Sequence, residues 1–587
     1  MQRRLSLTDH VLVLAAQVHA RSVYRRFLAA TKRATALQEK VLLAKVRRNA
    51  DSQFGRDYRF DCIASAADFI RHVPILRYED HRPYVERVKA GDLRALFGPR
   101  ERLHMFALTS GTTDEPKYIP VTGSFLAEYR RGWNAFGIKA LLDHPSAMLR
   151  GILQVVSRMD ESRTPAGIPC GAITGLMAAT QKRLVRRYYV TPSCIAEIDD
   201  PTAKYYTIMR LAVPSDVGFL ITASPATQLK IAHTADAHRE QLIRDVHNGT
   251  LSKDLPVPAQ VREQLRPRLQ ASPGEARRLE ALVTEHGRLL PRHYWQLGFL
   301  ANWTGGTMGL YLHDFPEYFG EVPVRDIGLL ASEGRLSLPI EDGTPAGILE
   351  VTSHFFEFVP RDRIQEESPP TMRSHQLDLG QEYFVLLTTS SGLYRYDLGD
   401  LVRVVGYHHQ APVIEFLNKG AHVCSLAGEK LTEHQVILAM EKAAPRLGAH
   451  LVSFVLAPQW GRPPHYVLHL DTGDGLEQAL LVTLADELEK QLQALNVEYA
   501  SKRRTDRLGP VRLNLLPAGC LTQLDRRLAS RHRQGNEQYK HQYLYPDPAT
   551  AADFPTEVGP NPHPGGPAPS DSAKTTLRPL DSPPPAS

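Results

Sequence analysis

The stretch Leu108-Thr109-Ser110-Gly111-Thr112-Thr113-Asp114-Glu115-Pro116-Lys117-Tyr118-Ile119-Pro120-Val121-Thr122 decides how the rest of the chain is read. Apolar runs flank it, Leu103 to Leu108 before and Tyr118 to Val121 after, so the pattern predicts two strands with a polar loop at their tip. Such a tip suits a phosphate. Gly111 lets backbone approach an anion, the hydroxyls of Thr109, Ser110, Thr112 and Thr113 donate to phosphate oxygens, and Lys117 adds a point charge. The interval from Gly111 to Lys117 matches that of a Walker A loop. Pro116, however, stands where that motif has its second glycine and Tyr118 where it has its magnesium-binding hydroxyl, so the Walker reading is rejected. An ordinary Ser/Thr/Gly turn is the plainer alternative, and the stretch by itself leaves it open.

Outward from the loop, Phe125, Leu126, Tyr129, Trp133, Phe136, Leu141 and Leu142 predict a helix over 124–143. The loop then sits at a strand-to-helix junction, the place where open α/β sheets bind ligands. Upstream, Val23, Phe27, Leu37, Val41 and Leu42 alternate with arginines and lysines at helical spacing, predicting one or two basic helices between residues 9 and 48 whose charged face is read as a solvated surface. Downstream, short apolar runs such as 151–156 and 217–222 alternate with helical stretches near 203–213, 225–247 and 274–289, which is α/β texture.

Composition narrows the function classes. The 587 residues can bury a large domain and a smaller one. A balance of 70 Lys+Arg against 64 Asp+Glu gives +6, too mild to indicate a nucleic-acid partner. Cys62, Cys170, Cys194, Cys424 and Cys520 are scattered and form no Cys-x-x-Cys pair, so neither a disulfide framework nor a zinc site is indicated, and a reducing cytoplasm is expected. No stretch is apolar for long enough to span a membrane. The expected state is a monomer without integral membrane association.

Two later stretches carry further candidate chemistry. In Asp326-Ile327-Gly328-Leu329-Leu330-Ala331-Ser332-Glu333-Gly334 a carboxylate ends an apolar strand beside glycine. Glu333 there suits magnesium, which takes one or two protein carboxylates and leaves its other positions to water and phosphate; a surface turn glutamate is the alternative. In Val385 to Val404 two strands frame Tyr394-Arg395-Tyr396-Asp397-Leu398-Gly399-Asp400, and the turn between them is expected to carry Arg395 and Asp400. A fixed carboxylate such as Asp400 takes both hydroxyls of a ribose, or marks a hairpin corner. Past Gly428 the texture changes: helix 432–446, strands 451–457 and 464–470, helix 475–495 and strand 510–516 predict a compact α+β module. From about residue 546 the chain is rich in Pro, Gly, Ser and Ala, and a disordered tail is expected there.

Taken in order, the loop, Ala331-Ser332-Glu333, Tyr394-Arg395 to Gly399-Asp400 and the C-terminal module resemble the Gretchen Hagen family of acyl acid amido synthetases, within the adenylate-forming enzyme superfamily. The resemblance runs from about residue 20 to 545 and takes in Asn302-Trp303-Thr304-Gly305-Gly306 and Phe355-Phe356-Glu357-Phe358. It implies an α/β fold in three parts: a large multi-sheet N-terminal domain (1–427), a small mobile α+β domain (428–545) and the tail (546–587). It also implies a reaction. A carboxylic acid and ATP give an acyl adenylate, which the amine of an amino acid converts to an amide.

Carried over by motif, Thr109, Ser110, Gly111, Thr112, Thr113 and Lys117 would hold the ATP phosphates. Ser332, Glu333 and Tyr394 would serve the nucleotide, Glu333 would also bind Mg²⁺, and Asp400 would bind ribose. Lys430 resembles the hinge lysine and Lys540 the C-terminal lysine that swings in during adenylation. The sequence departs from the family where Ala331-Ser332 replaces a serine pair and His541-Gln542 replaces a Pro-Arg-like continuation. Acyl transfer to a thiol such as coenzyme A, and a non-catalytic nucleotide-binding relative, are the alternatives to amide formation.

Overall fold

Alternating side chains on one set of strands build two hydrophobic cores back to back. The strands Gly151–Gln154, Val217–Ile221, Phe299–Asn302 and Val324–Asp326 lie side by side in that order, all parallel. They are nearly continuous apolar runs, as befits a sheet covered on both faces. Leu153, Leu220 and Leu300 point into one core with Tyr206, Met209 and Ile231 from the helices Pro201–Ala212 and Pro225–Ala237. Phe219, Phe299 and Ala301, one position away, point into the other. The structure, a computed structural model, describes residues 7–109, 117–181, 183–364, 366–419, 423–424, 426–427, 429, 431–445, 453–461, 463–471, 478–504, 507–531, 541–545 and 554.

The hairpin that opens the sequence argument forms as expected. Leu103–Thr109 pairs antiparallel with Lys117–Thr122, from Leu103 opposite Thr122 to Thr109 opposite Lys117, and Pro169–Gly171 and Ser162–Arg163 extend the sheet to four strands. The Thr122 hydroxyl accepts from Phe125 N at 3.1 Å, capping the helix Gly123–Asp143. That helix follows the hairpin directly. Its Phe125, Tyr129 and Phe136 enter the same core as Ile119 and Val121.

A seven-stranded antiparallel sheet runs in the order Ser337–Leu338, Gly347–Leu349, Ala411–Lys419, Tyr396–His408, Glu382–Thr388, Phe355–Pro360, Met372–Arg373. The N-terminal helices are Leu7–Thr31 and Ala34–Arg48. The second of them is tied to the large sheet through Gln38, whose side chain donates to the carbonyls of Val351 and His354 at 2.8 and 2.6 Å and accepts from Phe356 N at 2.9 Å.

Two expectations are corrected. The helical stretch 225–247 is two helices, Pro225–Ala237 and Arg239–Asn248, broken at His238. Asp400 lies within the strand Tyr396–His408, opposite Lys419, and not in the preceding turn, because pairing with Ala411–Lys419 begins at Asp400 itself.

Beyond residue 430 the expected α+β module is present. Strands Phe454–Gln459, His465–Asp471 and Arg512–Leu516 form a sheet against the helices Glu433–Ala443 and Gln478–Leu495, with Val436, Met440, Leu456, Leu468, Leu484 and Leu488 in its core. The outer edge of Phe454–Gln459 is covered by the returning chain: Leu456 N donates to Tyr543 O at 2.8 Å and Tyr545 N to Leu456 O at 3.0 Å. Except for Phe554, the stretch from residue 546 onward, for which a disordered tail is expected, lies outside the described residues.

Candidate active site

Lys117 begins the second strand of the hairpin and faces Thr109 across it, so it marks the point where the polar loop re-enters the sheet. Ser110, Gly111, Thr112 and Thr113 lie outside the described residues, and Thr109 is placed by its backbone at the end of the first strand. Lys117 Nζ donates to the hydroxyl of Tyr396 at 3.3 Å, and it stands 5.7 Å from the Tyr78 ring centre and 5.9 Å from that of Tyr396. Two aromatic faces thus hold one ammonium group in place.

Glu333 joins this group from a third element. Leu330–Ala331 and Gly334–Arg335 form a minimal hairpin in which Ala331 pairs with Gly334, leaving Ser332 and Glu333 as its two-residue tip. Glu333 is buried and Ser332 half-buried. Gly334 is required next to it, because a Cβ there would come within 2.9 Å of His354 Nε2. Burial, and then the negative charge of Glu333, push the Tyr396 hydroxyl far above the ordinary tyrosine range, so Tyr396 is a neutral donor or acceptor beside an anion. Burial does the same to Tyr78, whose hydroxyl accepts from Tyr118 N at 2.7 Å. Lys117 and Tyr396 are thus in contact, and the charge of Glu333 acts on Tyr396 from a third part of the chain, so the arrangement offers a cation and a neutral hydroxyl with a carboxylate's field on them.

The remaining candidates are placed as follows. Asp400 is buried four residues beyond Tyr396, about 13 Å along an extended strand. Tyr394 is not at the mouth of the loop. Its ring stacks on Phe54 at 4.9 Å, its hydroxyl accepts from Asn49 Nδ2 at 2.7 Å, and it belongs to the core beneath the N-terminal helices. The reversal comes from Arg395, whose φ of +43° turns the chain between the two tyrosines. Arg395 is locked by Glu357, with Nε 3.1 and 3.0 Å and Nη2 2.8 Å from the carboxylate, while Nη1 donates to Val73 O at 2.7 Å. Tyr396, which the sequence reading does not single out, is the tyrosine in contact with Lys117. The available signal was that it opens the strand leading to Asp400.

Lys430 and Lys540 lie outside the described residues, and their neighbours are described. Glu429 is buried, accepts from Leu426 N and Ala427 N at 2.7 Å each, and accepts the Tyr466 hydroxyl. His541 Nδ1 stands 3.0 and 2.9 Å from the two oxygens of Asp525, and its Nε2 is 2.9 Å from Phe454 O. Across from this module, the hydroxyls of Tyr311 and Tyr543 share a hydrogen bond between the segment Gly306–Asp314 and the C-terminal module.

Among the described residues no group of three or more His, Cys, Asp or Glu side chains converges on a metal position, and no helix is long and apolar enough to cross a membrane. All five cysteines are free thiols. Glu333 supplies a hard carboxylate oxygen, the donor type magnesium takes singly or in pairs.

The fold itself defines a class. Solved structures of GH3.15 acyl acid amido synthetase match this chain at a TM-score of 0.78 with 21% identity, covering 90% of this chain and 94% of that one. The 2-hydroxyisobutyryl-CoA ligase in its postadenylation state matches at 0.51 with 12% identity, covering 88% and 91%. The fold is that of the adenylate-forming enzymes. Models of the GH3 family N-terminal, central and C-terminal domains match residues 23–324, 347–419 and 434–549, and the chain belongs to the GH3 family. Curated relatives include jasmonoyl–L-amino acid synthetase JAR6 of Nicotiana attenuata, 24% identical over 85% of this chain and 89% of the relative. Another is indole-3-acetic acid-amido synthetase GH3.10 of Arabidopsis thaliana, 24% identical over 77% and 81%.

Proposed function

We propose that this chain is a ligase that activates a carboxylic acid with ATP as the acyl adenylate and passes the acyl group to the amine of an amino acid. The observation that carries the reading is the contact of Lys117 with Tyr396, on which the charge of Glu333 acts, where the Thr109 to Lys117 loop re-enters the sheet. Attack of a carboxylate on the α-phosphate of ATP gathers negative charge, and pre-placed cations and donors stabilise it more than any side-chain nucleophile could. In this reading Thr109, Ser110, Gly111, Thr112 and Thr113 bind phosphate oxygens, Lys117 neutralises them, Ser332 supports the nucleotide and Asp400 takes the ribose. Mg²⁺ held by Glu333 would supply further charge neutralisation at the phosphates.

Residues 1–427 form the ATP- and acid-binding unit in this reading, and residues 428–545 a unit that turns about Lys430 to present Lys540 during adenylation. A reducing cytoplasm accords with the five free thiols, and the chain acts as a monomer in this reading. The test is ATP–pyrophosphate exchange across a panel of carboxylic acids, followed by product analysis with amino acids and coenzyme A offered together. Amide products are expected. Exchange that yields thioesters would make the protein a coenzyme A ligase, and a folded, ATP-binding protein without exchange would make it a non-catalytic relative.

A further inference from the structure

Two residues past Glu333, Arg335 is buried with most of its guanidinium unused. Nη2 donates to Ile327 O, while Nε and Nη1 have no hydrogen-bond partner among the described residues. A buried charged donor left in this state is costly relative to a satisfied one. Burial lowers the Arg335 pKa to about 10, which records the same cost. The nearest acids do not relieve it. Asp326 spends its oxygens on Thr304 N, Thr304 Oγ1 and Gly328 N, and Glu350 bonds to Thr352 through Oε1 while its Oε2 makes no hydrogen bond to Arg335.

The surroundings of Arg335 are built for an arginine. Its guanidinium lies 4.6 Å from the Trp133 ring centre and 5.1 Å from that of Phe136, both on the helix Gly123–Asp143. Its stem fits because residue 132 is glycine: a Cβ there would meet Arg335 Cδ at 2.5 Å. Trp133 against it is half-buried, as are Leu330, which pairs with Arg335 in the hairpin, and Trp303, whose Nε1 donates to Gly328 O next to Ile327.

We propose that Arg335 is a specificity-determining residue that binds a second oxyanion of the acyl acid, distal to the carboxylate that is activated. The preferred substrates are then acids carrying a further carboxylate or similar anionic oxygen group on an apolar frame. The inference rests on the ligase reading for the identity of the ligand. Bidentate geometry is what a guanidinium offers a carboxylate, and here the Nη2 hydrogen that Ile327 O does not take forms such a pair with Nε on one side or with Nη1 on the other. The aromatic walls exclude water and raise the strength of that contact.

The test uses matched acids on the full chain: hexanoate against adipate, and phenylacetate against 4-carboxyphenylacetate. Thermal shift without ATP reads binding, and pyrophosphate exchange reads turnover. The wild type is expected to be stabilised more by the diacid of each pair and to prefer it by about 10²-fold or more in kcat/KM, since a site built to bond a polar group rejects the analogue lacking it. Arg335→Met should abolish the preference in both readouts, and Arg335→Lys, which keeps a point charge, should retain part of it. The lysine variant also guards against a methionine variant that fails to fold. Equal responses of the wild type to both members of each pair, or a folded Arg335→Met that keeps the preference, would overturn the assignment. Exchange without preference removes Arg335 and leaves the ligase reading standing; diacid binding without exchange does the reverse.

Discussion

Lys117 Nζ and the Tyr396 hydroxyl stand 3.3 Å apart across a sequence separation of 279 residues. The contact joins the hairpin to the seven-stranded sheet at the proposed phosphate site. Lys117→Ala should lower kcat/KM for pyrophosphate exchange by about 10²- to 10³-fold, as loss of one charge-stabilising group does. Tyr396→Phe keeps the ring and removes one neutral hydrogen bond, so its loss should stay near tenfold or less. Equal losses in the two variants would show that the hydroxyl does more than orient the lysine.

Glu333→Gln removes a charge at nearly constant volume from the tip of the Leu330–Arg335 hairpin. Exchange activity should fall, and the Mg²⁺ concentration giving half-maximal rate should rise, while the melting temperature changes little. Titrating Mg²⁺ in the variant checks this; an unchanged requirement would make Glu333 a turn residue.

Glu357 and Arg395 form a buried bidentate ion pair, with both side chains nearly inaccessible. Glu357→Gln leaves the guanidinium uncompensated and should destabilise the protein by about 3–5 kcal/mol, whereas replacing both residues by apolar ones of similar volume should cost much less. Urea unfolding with an unchanged m-value reads the difference.

These residues also show how far the sequence could be read. Strand and helix periods located the hairpin, its following helix and the C-terminal module, because each is specified by a local apolar pattern. Glu333 and Lys117 were legible as candidates since each ends or begins a strand beside a polar turn. Their shared link to Tyr396 was not, because it depends on non-local pairing. That Tyr394 and Tyr396 end in different surroundings was not legible either, because a left-handed residue at Arg395 turns the chain between them and an arginine gives no local signal for positive φ. Arg335 was passed over for a related reason: a lone arginine next to a motif looks like surface until a helix glycine is found facing it.

Gly132→Ala tests that match. In an ordinary helix interior the change gains about 1 kcal/mol, but here the new methyl meets Arg335 Cδ and the sign should reverse. In an Arg335→Ala background the ordinary gain should return. A double-mutant cycle by urea unfolding measures the coupling, and additivity would separate the two residues.

His541 supplies a pH dependence. Burial disfavours its charged form, but the hydrogen bond and charge of Asp525, aided by the Phe454 carbonyl, outweigh that and raise its pKa above 6.5. A raised folded value means that the stabilisation is fully present below the unfolded histidine value and is lost as pH rises through the folded one. Asp525→Asn should therefore cost most near pH 5, with the gap from wild type narrowing toward pH 9. A gap independent of pH would show that His541 is neutral in the fold.

The cover that Tyr543 and Tyr545 lay over Leu456 reaches beyond the site. Phe454–Gln459 is the outermost strand of its sheet, and Phe454, Val455, Leu456 and Ala457 are fully buried. An apolar outermost strand with unpaired backbone groups is a template for another chain. A version cut before His541 would expose that template, so residues 541–545 act as a stopper against self-association, and the shortest well-behaved form of the molecule has to include them.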